Sequence, residues 1–154
     1  MRYSSSNDLA GTKQAMSSAY KTLVALTAAT ATLTRGKIYD VLIGTNGTPA
    51  DNPMEFDISR QTAAGTSTSI TPVSLEPGDR AAGTVGTANF TAEGTITATS
   101  SVFYVGLNQR ASYRWVAAPG SELVIPNTNL AGFALRAKSA SYTGTSTGQM
   151  YHEE

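Results

Sequence analysis

The side chains able to do acid–base, nucleophilic or metal chemistry are few in this chain, and their spacing suits none of it. The single histidine, His152, stands between Tyr151 and the Glu153-Glu154 pair. A general base needs a nucleophile to serve and a third group to orient it. A transition-metal site needs further imidazole or thiolate ligands, and the chain has one histidine and no cysteine. Serine and threonine are so common that no one of them is singled out, and no G-x-S-x-G elbow surrounds any of them. The glycines at Gly83, Gly86 and Gly94 open no phosphate-binding loop. Asp40, Asp51, Glu55 and Asp57 lie close together, and Glu55 and Asp57 share one face of an extended strand. Glycoside hydrolysis would use two such carboxyls across an aromatic-lined cleft, but Tyr39 and Phe56 fit core positions equally well. Asp51, Asn52 and Asp57 offer oxygens to Ca²⁺, without the spacing of a known loop. A solvated strand face is the simpler reading. The expectation is a protein that is not an enzyme and holds no cofactor and no metal.

The remaining candidates belong to an interface. Arg110, Arg114 and Arg136 are expected to form a patch with Tyr113 and Trp115, residue types that dominate binding hot spots. Against this, Trp115 also suits a core position, with the arginines as a solvated face. Arg114 must point opposite Trp115 on a regular strand. Arg2 and Tyr3 join the candidates because Met1 to Ser6 reads as a polar arm that could order on a neighbour.

Short β-prone runs separated by turn residues must position these groups. The runs are 21–26, 37–44, 54–61, 70–75, 89–98, 102–108, 112–117, 123–125, 132–138 and 149–153. Within them Met54, Phe56 and Ile58 alternate with Glu55, Asp57 and Ser59, as a half-buried antiparallel strand requires. Pro119-Gly120 is expected to turn a hairpin between the run holding Trp115 and Leu123–Ile125. Asn46-Gly47, Pro77-Gly78 and Pro126-Asn127 punctuate the rest. Residues 143–148 read as a loop. The fold class expected is all-β, an antiparallel β-sandwich over residues 20–154. Residues 1–19 form an N-terminal arm or partly helical lead.

Composition narrows the function. Charged residues are 14% of the chain and balance, eleven basic against eleven acidic, where about 25% is usual. The shortfall is made up by Thr, Ser, Ala and Gly. Net charge of zero gives no reason to bind nucleic acid or an anionic membrane. It also does little to oppose association. The run Leu23 to Ala31 is too short, too often broken by Thr, and too far behind a polar lead to read as a signal peptide. Nothing approaches the roughly 20 apolar residues of a membrane span.

Several phrases match a known pattern: Met1-Arg2-Tyr3, Ile38 to Gly44, Thr48 to Asn52, Arg60 to Thr68, Thr71 to Val73, Asn108 to Ala111, Arg114 to Gly120, Glu122 to Pro126 and the closing Glu153-Glu154. Together they resemble the decoration, or cement, proteins of tailed-bacteriophage heads, from Ile38 onward; the first third matches less well. The resemblance implies a jelly-roll sandwich that forms a homotrimer and sits on the capsid exterior. There it would bridge copies of the major capsid protein after assembly in the host cytoplasm. It implies no catalytic residues. The alternative is a carbohydrate- or receptor-binding jelly roll of a phage fibre or head appendage, with a cleft drawn from Tyr104, Tyr113, Trp115 and Tyr142.

Overall fold

The structure is a computed structural model and describes residues 1–29, 35–142 and 144–154. Its strands are β1 (Arg2–Ser6), β2 (Lys21–Ala28), β3 (Lys37–Asn46), β4 (Pro53–Ala63), β5 (Thr66–Ile70), β6 (Val73–Ser74), β7 (Thr84–Ala92), β8 (Thr95–Asn108), β9 (Tyr113–Val116), β10 (Leu123–Val124), β11 (Gly132–Lys138) and β12 (Thr145–Glu153). The strands form two six-stranded antiparallel sheets. One runs β10-β3-β12-β1-β6, with β9 also on β3; the other runs β5-β7-β2-β11-β4-β8. The protein is therefore an all-β sandwich.

Period-two alternation builds the core. Ile38, Val41, Ile43 and Met150 of the first sheet pack on Leu23, Leu26, Phe56, Ile58, Phe133 and Leu135 of the second. Gly148 and Gly132 are close approaches. A Cβ on Gly148 would sit 2.9 Å from the Leu135 side chain, and one on Gly132 would strike the Leu26 carbonyl oxygen. A smaller cluster of Ala25, Phe90 and Ala134, with Ile96 against it, covers part of the second sheet's outer face.

Four expectations need correction. The N-terminal lead is not a free arm. Residues 2–6 are an interior strand between β12 and β6. Asn7 then binds the β12 backbone twice, donating to the Ser146 carbonyl (2.8 Å) and accepting from the Gly148 N–H (3.1 Å). Met16 N–H donates to Gly144 at 2.8 Å, and its side chain is buried. The expected helix is one 3-10 turn over Asn7–Ala10. Second, β9 and β10 do not form a hairpin. Both pair with β3, at Asp40–Ile43 and at Lys37–Ile38 respectively, so they follow one another along a single edge. Third, the run 89–98 is broken at Glu93-Gly94 into the end of β7 and the start of β8. Fourth, residues 145–148 are strand rather than loop, since Ser and Thr there alternate between faces of β12; position 143 lies outside the described residues, as do positions 30 and 31 of the run screened as a signal.

Candidate functional site

The groups considered for chemistry lie in three places, and most of their polar atoms are bound by the protein itself. His152 lies inside the sandwich. Its ring is fully buried and stacks on Tyr3, centroids 5.3 Å apart. Nε2 meets Thr84 Oγ1 at 2.6 Å and Glu154 Oε1 at 3.5 Å. The Glu154 carboxylate also accepts from the Gly83 and Thr84 N–H groups, each at 2.7 Å. Burial pushes this carboxyl up, but the His152 contact and the two backbone donors outweigh it and hold the pKa down at about 2. Hydroxyl, imidazole and carboxylate resemble a hydrolytic triad in composition. However, Nδ1 has no partner among the described residues to orient the ring, and the Tyr3 and His152 side chains are shut off from solvent. The cluster ties β12, β1 and β7 together.

The second place is the outer face of the β4-β8-β11 region. Asp57 is buried and held bidentately by Arg136, at 2.8 and 2.6 Å, while Ser59 donates to it at 2.7 Å. Arg136 and Lys138 also lie over the Tyr20 ring, at 4.5 and 4.7 Å. Burial, then the charges of Asp57 and Glu55, push the Tyr20 phenol up to about 12. Glu55 accepts from Tyr104 at 3.0 Å and pairs with Lys138 at 3.2 Å. The Tyr104 bond leads in holding its carboxyl below the usual range. Glu55 and Asp57 share a face as expected, but that face is not simply solvated: Tyr20, just ahead of β2, covers it. Neither carboxyl is free to serve as an acid or nucleophile. Asp51 pairs with Arg110 instead of joining Asp57, and no group of three metal-ligating side chains converges among the described residues.

The third place holds the expected interface. Arg114 is exposed on the outer face of the first sheet, where it grips the buried Asp40 at 3.0, 3.1 and 2.5 Å. Arg110 lies on the β8–β9 connection, facing Asp51 and the Pro49 carbonyl. With Leu42, Gly44, Thr147 and Gln149 it lines a shallow groove of about 340 Å³. Arg2 is exposed and paired with Glu76 at 3.1 Å. Two candidates fall elsewhere. Arg136 belongs to the opposite sheet, so the three arginines make no single patch. Tyr3 is buried, its hydroxyl donating to the Arg80 carbonyl at 3.0 Å, because odd positions of β1 face the core.

The aromatics also separate. Trp115 and Tyr113 lean on Phe103 of β8, each about 6.0 Å between centroids, and close the open side of the sandwich. Tyr142 is buried, whereas Tyr104 stands on the outer face of the other sheet. They do not line one cleft. Sequence reasoning placed a strand at 102–108 but missed that it continues from Thr95 as one charge-free edge strand, β8. Its signal was present, since residues 95–108 carry no charge at all. No protein family, no curated protein and no solved structure matches the chain.

Proposed function

We propose that this protein is a non-catalytic structural component that decorates and stabilises the outside of an icosahedral phage head. Its fold, on this reading, is a jelly roll. A homotrimer would bridge neighbouring copies of the major capsid protein through Arg2, Arg110 and Arg114. The observation that carries the reading is internal neutralisation. Seven of the eleven Lys and Arg side chains pair with carboxylates of the same chain. The His152 cluster is sealed in the core, and Asp57, Glu55 and Asp40 are held in such pairs. A stiff sandwich with two broad, nearly neutral outer faces remains.

Such a body suits many weak contacts made at once. Anchoring at several points raises the effective concentration of each further contact. Anything that binds only the assembled shell stabilises it by mass action. The resemblance from Ile38 onward supplies the identity of the shell. Mixing the purified protein with undecorated heads tests the reading. Co-sedimentation and a rise in the temperature at which heads release their contents are expected. Heads that neither bind the protein nor gain heat resistance refute it.

A further inference from the structure

We propose that β8 is a self-association edge, through which two copies of this chain join their β4-β8 sheets about a two-fold axis at Tyr104. The proposal does not rest on the shell reading; the two hold together where this two-fold contact pairs trimers into a hexamer.

The edges of the two sheets are protected very differently. In the first sheet one edge is β6, only two residues long, and the other is split between β9, which carries Arg114, and the two-residue β10. Short strands and charged side chains are the usual means by which a sheet edge refuses a partner. In the second sheet β8 forms an edge of fourteen residues with no Lys, Arg, Asp, Glu or Pro. Its first half is irregular: pairing with β4 slips repeatedly from Ile96 up to Phe103, passing over Val102, and Thr99 takes a positive φ of 56°. From Phe103 to Asn108 the register with β4 is unbroken. Among the described residues, no strand pairs with the far side of this segment.

Hydrogen-bond parity fixes what this edge offers. Gln109 N–H donates to the Asn52 carbonyl at 2.9 Å, so residues 109 and 52 are a bonded pair. Bonded and non-bonded pairs alternate in an antiparallel ladder. Leu107, Val105 and Phe103 therefore face β4 with their backbone groups. Gly106 and Tyr104, inside the unbroken register, aim theirs outward, and Val102 follows at the slip. An axis through Tyr104 sets Tyr104 opposite its own copy, and Val102 opposite Gly106. That gives a bonded pair of two bonds at Tyr104, with the outward groups of Gly106 on either side of it. Phe103 then meets Val105 of the other copy on the core side, and both are only half-buried in the single chain.

The outer side does not oppose the pairing. Tyr104 is 61% exposed and Val102 42% exposed, and Gly106 leaves open space in front of Val102. The ionic groups beside them are Glu55, Asp57, Arg136 and Lys138, two of each sign and already paired. The opposite edge of the sheet, β5, is a poorer partner. It is five residues of mostly Thr and Ser, bounded by Gly65 and Pro72, and offers no apolar row to continue.

The test is sedimentation equilibrium of the full chain over a wide concentration series, with three variants. The parent should show a reversible dimer, or an even-numbered assembly built from dimers. Tyr104→Lys places two ammonium groups face to face and should weaken dimerisation at least ~10-fold, since like charges directly opposite oppose pairing. Gly106→Pro removes an outward N–H while sparing the bonds to β4, and should act in the same direction. Both variants should keep the parent's melting temperature when dilute. The chain has no cysteine, so Tyr104→Cys should give a disulfide-linked dimer on mild oxidation. Its Cα separation in a bonded pair, about 5.5 Å, falls within disulfide range. Thr68→Cys on β5 should not cross-link. A parent that stays monomeric throughout overturns the proposal. So does an oligomer, trimer included, whose dissociation constant neither Tyr104→Lys nor Gly106→Pro changes. Head binding is measured separately, so loss of one reading leaves the other standing.

Discussion

Replacing Glu154 with Gln puts the buried cluster around His152 to a quantitative test. Both carboxyl oxygens of Glu154 are engaged, one by Gly83 N–H and the other by Thr84 N–H, at 2.7 Å each. Gln keeps one acceptor but turns an NH₂ toward the other backbone donor, leaving that N–H without a partner. The magnitude follows from linkage. The carboxyl has a pKa of about 2 in the folded chain against 4.5 as the reference. A shift of that size corresponds to roughly 3 kcal/mol, at about 1.4 kcal/mol per unit. The folded-state value is depressed, so the stabilisation is complete above about pH 4.5. It falls away as pH drops through the folded-state value of about 2, below which both states are protonated. Urea unfolding of parent and Glu154→Gln should therefore differ by about 3 kcal/mol at pH 7. The difference should shrink steadily below pH 4.5 and nearly vanish at about pH 2. Taking the difference removes other titrating groups to first order. A gap that is the same at pH 7 and at pH 2 would show that the carboxylate charge is not what holds β12 to β7, and the reasoning would fail.

Two further perturbations probe the sheets. Arg136→Met leaves the buried Asp57 carboxylate without its bidentate partner, and urea unfolding should show a loss of about 3–5 kcal/mol. Pairing it with Asp57→Leu should recover most of that, because the cost lies in the stranded charge. Gly132→Ala forces a Cβ against the Leu26 carbonyl and to 2.7 Å from Thr27 Cα, both backbone. It should destabilise the protein by at least ~2 kcal/mol in thermal melts, since backbone cannot rotate away as a side chain can.

The sequence made the strands with strong alternation legible. Met54, Phe56 and Ile58 face the core as expected, and the runs at 37–44 and 132–138 became β3 and β11. Strands of Ser, Thr and Gly were not legible. β1 contains one large apolar residue, Tyr3, and β5 contains one, Ile70, so neither carries a periodic signal. What makes β1 a strand is its place between two others, with Asn7 pinning its end to β12. Partner choice was equally invisible. Pro119-Gly120 does make a turn, with Ser121 N–H donating to the Ala118 carbonyl at 2.8 Å. The strands on either side bind β3 rather than each other, which no local residue encodes.

The charged residues show most clearly what sequence alone leaves unspecified, namely which of them are paired within the chain. Low charge was read as a bland surface, with the remaining arginines as its adhesive points. In the fold Arg136 is spent on Asp57, and Arg114 on Asp40. The ionic groups thus act first to hold strands together. On the self-association proposed above, contact between copies falls to what the ions leave uncovered. The largest such element is a charge-free edge whose outward backbone groups and half-exposed Phe103, Val105 and Leu107 are incomplete in one copy of the chain. In a chain with few charges, the places from which charge has been withdrawn are the better guide to contact.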